Sequence, residues 1–200
     1  MTPTLRLVTA SIPSRAATNL VVRIDTNWVG MRTEHQGVSN SARPTLRAPR
    51  FGEAVFAQCW HFGRLFAARG RGGIVLMSSV VAFQGAPMSA HYAATKAYVQ
   101  SLAEALRHEL RPCGVDVIAS APGPVASGFA ARARMHMARA ADPEVVARET
   151  LSALGRRATV RPGGLAKLLG WSLATAPRAL RVLIMGRIMG GMTVADRSVR

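Results

Sequence analysis

Two hundred residues suit one domain with enough chain to bury a real core, and its two cysteines, Cys59 and Cys113, exclude a disulfide framework and make a reducing, cytoplasmic setting the default. The net charge of +16 first suggests nucleic acid or an anionic membrane. Its distribution excludes a dedicated nucleic-acid module: residues 1–70 carry nine basic against three acidic residues, 71–130 four against three, and 131–200 thirteen against four. The centre is nearly neutral, and no zinc-finger spacing or aromatic-studded basic strand occurs.

Residues 1–60 are rich in Ser, Thr, Arg and Asn, with Asp25 the first acid. Asn19–Asp25 can form one strand, while Arg43–Arg50, rich in Pro and Arg, is unsuited to a helix. An Arg- and Ser-rich, acid-poor segment is compatible with a transit peptide. The absence of a sustained amphipathic period favours instead an unrecognised, disordered leader. It also lacks the apolar core of roughly 7–15 residues that a secretory signal needs.

The apolar run Ile74-Val75-Leu76-Met77 predicts a buried strand ending at Ser78-Ser79. From His91 to Leu110 the pattern is helical, with Tyr98, Leu102, Leu106 and Leu110 at a spacing of four. Tyr92 and Lys96 then lie one above the other on one helix face. A phenol, with pKa near 10, is a poor base at neutral pH. A lysine cation beside it stabilises the phenolate and brings it towards the range of a general acid/base. The Ser79 hydroxyl can hold a carbonyl or alcohol oxygen, and no metal is required. A tyrosine and lysine at this spacing also occur by chance in many helices, so the pair alone does not define a site. His91 reads as an exposed helix-start residue rather than a base.

Arg111-Pro112-Cys113-Gly114 stops the helix, and Gly114–Ala119 forms a second short buried strand. It ends in Ala121-Pro122-Gly123-Pro124-Val125-Ala126-Ser127, a rigid turn able to bring backbone groups close to a ligand. Strand, helix, strand is the order of a parallel α/β sheet, where ligands bind beyond the carboxyl ends of the strands. Ser79, Tyr92 and the Pro-Gly turn should cluster at that edge.

The segments Gly72–Ser79, Tyr92–Ala97 and Pro122–Ser127, from near Phe62 onward, resemble the second half of a short-chain dehydrogenase/reductase. The resemblance implies an α/β fold: a partial Rossmann-like, doubly wound parallel sheet with flanking helices, its N-terminal βαβ units missing or degenerate. It implies NAD or NADP as cofactor and hydride transfer to or from a small-molecule carbonyl or secondary alcohol. Ser79 would orient the substrate oxygen, Tyr92 would exchange the proton, and Lys96 would hold the nicotinamide ribose. Pro122, Gly123 and Val125 would border the nicotinamide, and Ser127 falls where the family often places a cofactor-contacting threonine. The family's first strand runs into a glycine-rich turn that holds the cofactor pyrophosphate. Residues 1–50 contain only Gly30 and Gly37, in no such pattern, and no Asn stands between Phe51 and Cys59. An alternative therefore accompanies the enzyme reading: a truncated, catalytically inactive relative with a structural, interaction or membrane-surface role.

Phe129–Met137 falls where the family places its substrate loop; its Met and Phe side chains can equally line a pocket or fill core gaps. Asp142-Pro143-Glu144 is a helix start leading Val145 to Leu154, and Ala158–Pro162 is a candidate final strand. Leu168–Leu173 and Leu180–Met185 predict amphipathic helices among Lys167, Arg178, Arg181 and Arg187. These either lie at a membrane surface or pack against the body or a second subunit. No uncharged run reaches the roughly 18 residues of a membrane span. The expected organisation is a leader over 1–60, a truncated catalytic domain over 61–164 and a basic amphipathic tail over 165–200. The expected partners are the small substrate, no specific nucleic acid, peripheral membrane contact through 165–200, and a second copy through the Tyr92 helix, where Ala93, Ala97 and Ala103 permit close packing.

Overall fold

In the computed structural model of the protein, which describes residues 7–9, 20–24, 50–127 and 140–192, the apolar run Gly72–Met77 is the central strand β3. Ile74, Val75 and Leu76 are all buried, as a strand covered on both faces requires. Among the described residues five strands lie in the order β1-β2-β3-β4-β5, with β1 at Leu7–Thr9, β2 at Leu20–Ile24, β4 at Val115–Ser120 and β5 at Thr159–Val160. β2, β3, β4 and β5 run parallel to their neighbours, whereas β1 is antiparallel to β2. A βαβ crossover joins parallel strands, so β1 and β2 do not form one.

Helices cover both faces of the sheet. α1 (Arg50–Ala68) and α2 (Ala90–Leu110) lie on one face. There Phe51, Val55, Cys59, Phe66, Val99 and Ala103 pack with Ile74, Leu76, Val117 and Ala119. The alternate strand residues Val75 and Ile118 point the other way, onto Ala153 and Leu151 of α3 (Pro143–Ala153) and onto Val160. This is a doubly wound α/β arrangement. The expected division after residue 60 falls inside α1, whose first turns and last turns share one core.

Local signals set most boundaries. Arg111–Cys113 forms a 3₁₀ turn after α2, and Gly114 closes it with φ +74°. A side chain there would meet the Gly70 carbonyl, so glycine is required both by conformation and by space. Asp142 caps α3, its carboxylate accepting from the Glu144 N–H at 2.8 Å, with Pro143 in the first turn.

The buried stripe of α2 is Ala93, Lys96, Val99, Gln100, Ala103 and Arg107. Leu102, Leu106 and Leu110, read as the apolar row, are only partly buried at the core's margin, and Tyr98 is exposed. The polar members of the stripe find donor contacts elsewhere in the chain, although the buried Gln100 Oε1 has no hydrogen-bond partner among the described residues. Arg107 donates to the carbonyls of Val117 and Gly155, each at 3.2 Å, and Gln100 donates to the Thr159 hydroxyl at 2.6 Å. Ala93 and Ala103 are consumed inside the chain, so neither is available to a second subunit.

After β5 the chain forms α4 (Gly164–Ala174) and α5 (Arg178–Met192). α5 packs on the body through Met185 and Met189, which bury against Val81, Ala86 and Ala93. Among the described residues no helix is long and apolar enough to cross a membrane.

Candidate active site

The site is built where β3 and β4 end. Past Met77 the chain extends through Ser78 and Ser79, and Ser79 (φ −164°, ψ 161°) begins a 3₁₀ turn over Val80–Phe83. Its hydroxyl accepts from the Val81 N–H at 3.4 Å and donates to the Pro122 carbonyl at 3.5 Å. The Val80 N–H reaches the same carbonyl at 3.1 Å. Both hydroxyl contacts are long, which leaves Ser79 weakly engaged by protein. The Pro-Gly turn after β4 is thereby tied to the serine.

Lys96 enters from the first turns of α2. It is 1% exposed, and its ammonium donates to the Met77 carbonyl, the last of β3, at 2.9 Å. Ser78 donates to the Lys96 carbonyl at 3.1 Å, so the helix and the strand end grip each other from both sides. The Lys96 nitrogen stands 5.5 Å from the centroid of the Tyr92 ring. Tyr92 is half-buried, one wall of it formed by the cluster containing Val81, Ala86, Met185 and Met189. Ser79, Tyr92, Lys96 and Pro122-Gly123 thus meet at the carboxyl edge of the sheet.

The remaining expected residues lie further along the turn. Val125 pairs with Ala141 in a short parallel bridge, and the Ala141 N–H donates to the Pro124 carbonyl at 2.8 Å. Ser127 is exposed at the end of this stretch, its backbone N–H donating to the Val125 carbonyl at 2.8 Å. The substrate-loop expectation at Phe129–Met137 lies outside the described residues. His91 is exposed. A cleft of about 390 Å³ opens beside the turn, between Gly123, Pro124, Ala141, Pro162 and Leu168, a size at the lower end of small-molecule sites. Among the described residues no group of His, Cys, Asp and Glu could hold a metal ion.

Four contributing residues were not legible in the sequence. Ser78 shares its motif with Ser79, and nothing local says that it, rather than its neighbour, holds the helix. Met185 and Met189 reach Tyr92 from more than ninety positions downstream. Arg161, read as part of a strand end, stacks its guanidinium 4.3 Å over the Phe83 ring and ties β5 to the turn after Ser79.

Comparison with known proteins agrees with this geometry. The family model described as short chain dehydrogenase matches residues 52–138. A 7beta-hydroxysteroid dehydrogenase of Collinsella aerofaciens is 36% identical over 64 residues, which cover 32% of this chain and 24% of that protein. An uncharacterised oxidoreductase of Mycobacterium tuberculosis is 40% identical over 74 residues, 36% of this chain and 29% of its own. The matches therefore span about a quarter of the curated relatives. Among solved structures, a short chain dehydrogenase from Burkholderia cenocepacia in complex with NADP superposes with a TM-score of 0.58 at 25% identity, covering 72% of this chain and 66% of that one. Over residues 52–138 the chain is similar to the short-chain dehydrogenases, and its α/β sheet with flanking helices is the fold that they share.

Proposed function

We propose that this chain is an NAD(P)-dependent oxidoreductase of the short-chain dehydrogenase/reductase type, acting between the nicotinamide and a small carbonyl or secondary alcohol. The observation that carries this reading is the placement of Lys96, buried, held at the last carbonyl of β3 and adjacent to the Tyr92 ring. When bound, the nicotinamide supplies or accepts the hydride. The chain's own residues fit that half of the cofactor: Lys96 and Tyr92 for the ribose, with Pro122, Gly123 and Val125 bordering the ring and Ser127 beyond them. The NADP held by the Burkholderia relative supports a nicotinamide cofactor of this kind.

Tyr92 passes its phenolic proton to the substrate oxygen in reduction and takes it back in oxidation. The Lys96 ammonium favours the phenolate through charge. Ser79, its hydroxyl only loosely engaged by Val81 and Pro122, turns to the substrate oxygen and holds it for that transfer.

Titrating NADH and NADPH against the purified protein tests the reading through enhanced nicotinamide fluorescence. Saturable binding is expected; none up to roughly 1 mM overturns it. Tyr92→Phe should then spare binding and lower turnover about a hundred- to ten-thousand-fold. Retained turnover would refute the role of Tyr92.

A second reading, a truncated and inactive relative with a structural or membrane-surface role, is favoured by one observation: residues 1–50 hold no glycine cluster for the pyrophosphate. Absence of binding in the same titration selects it. A homodimer through α2 would use the exposed Tyr98 together with Phe56 and Trp60 of α1, because Ala93 and Ala103 are taken up inside the chain. Sedimentation of Trp60→Glu against the parent protein tests that contact.

A further inference from the structure

The α4–α5 pair presents two unlike faces. Inward, Ala166 and Leu173 of α4 and Met185 and Met189 of α5 are buried. Outward, Leu168 and Trp171 lie one turn apart on α4, 59% and 78% exposed, and Leu180 and Leu183 occupy the same relation on α5, 45% and 61% exposed. Single exposed apolar side chains are ordinary, but an outward apolar pair on each of two consecutive helices, one of them with a tryptophan, is surface that water penalises. The elbow between the helices is held. Arg181 donates through Nε to the Ala176 carbonyl at 2.7 Å and through Nη2 to the Ala174 carbonyl at 3.0 Å.

Charge decides what covers this face. From residue 150 to residue 195 the sequence contains no Asp or Glu, and the two helices carry Lys167, Arg178, Arg181 and Arg187. Lys167 is paired with Glu149 at 2.9 Å, while Arg178 and Arg187 are exposed. A second copy docked through the same face would set cation against cation. Nucleic acid would meet the arginines but leave the leucines and Trp171 unaccounted for. A bilayer with anionic headgroups answers both features, because it offers an apolar interior beneath a negative surface.

We propose that the outer face of α4–α5 docks on an anionic lipid bilayer, with Leu168, Trp171, Leu180 and Leu183 entering the interface and Arg187, on the same side of α5 as Leu180 and Leu183, on the phosphates. This inference goes beyond the catalytic reading and does not depend on it, since its test measures no turnover. Full-length protein is floated with phosphatidylcholine vesicles with and without phosphatidylglycerol. Co-flotation is expected with the anionic vesicles only, weakening as salt is raised. Trp171→Ala with Leu183→Ala should lower partitioning at least about tenfold, and Arg187→Glu by a similar factor. Circular dichroism melts confirm that each variant is folded, and either variant suffices should the other fail to fold. The proposal is overturned by failure to float on anionic vesicles, by equal flotation on both kinds, or by folded variants that bind unchanged. Self-association or nucleic-acid binding through this face without vesicle binding would likewise overturn it.

Discussion

Cys59 and Cys113 show how position sets the chemistry of one side chain. Cys59 is 1% exposed within the α1 core, and burial pushes its thiol from 9.0 up to about 12. Cys113 is exposed in the turn before β4. Since the thiolate is the nucleophile, iodoacetamide at neutral pH should label Cys113 and spare Cys59, as peptide mass mapping would show. The shift also links to stability. Between about pH 9 and 12 the unfolded chain releases a proton that the folded chain keeps, so stability is intact below that window and declines through it. Melts across that window should fall more steeply for the parent than for Cys59→Ala. Lys96 carries a different load: Lys96→Met removes a charged hydrogen bond to the Met77 carbonyl and should cost about 1.5–3 kcal/mol in urea unfolding. The Ser79, Tyr92 and Lys96 spacing was readable in the sequence. The Ser78 bond that holds Lys96 in place was not, because adjacent serines look alike until a helix arrives eighteen positions later.

At the scale of elements, local chemistry decided boundaries well. Asp142-Pro143 opens α3 as expected, and Asp142→Ala should lower stability by about 1 kcal/mol through loss of the cap, readable as a lower thermal midpoint. Gly114→Ala should cost more than the roughly 1–2 kcal/mol of a left-handed non-glycine residue, because the Gly70 carbonyl is also in the way. The same denaturation series checks it. Which face of α2 is buried was not legible. Lys96, Gln100 and Arg107 are polar, and they are buried because β3, β4 and β5 bring carbonyls and a hydroxyl to meet them. Hydrophobic periodicity cannot register a polar group whose partner is distant.

For the whole molecule the strand order and the two helical layers define the site. Phe66 is fully buried between α1 and the sheet, against the glycine that starts β3. Phe66→Ala should lower unfolding stability by about 3–5 kcal/mol, a loss expected only if α1 belongs to the catalytic fold rather than to a leader. The sequence by itself determined the buried runs, the caps, the helix stop at Pro112 and Gly114, and the four-residue step from Tyr92 to Lys96. Those depend on contacts within a turn or on the alternation of one strand. The tertiary structure alone decided that α1 joins the core, that Pro122 meets Ser79 across 43 positions, that α5 walls Tyr92, and that the outer face of α4–α5 is left to solvent. Each of those is a choice of partner, and distant partners are selected by how faces fit once the chain has folded.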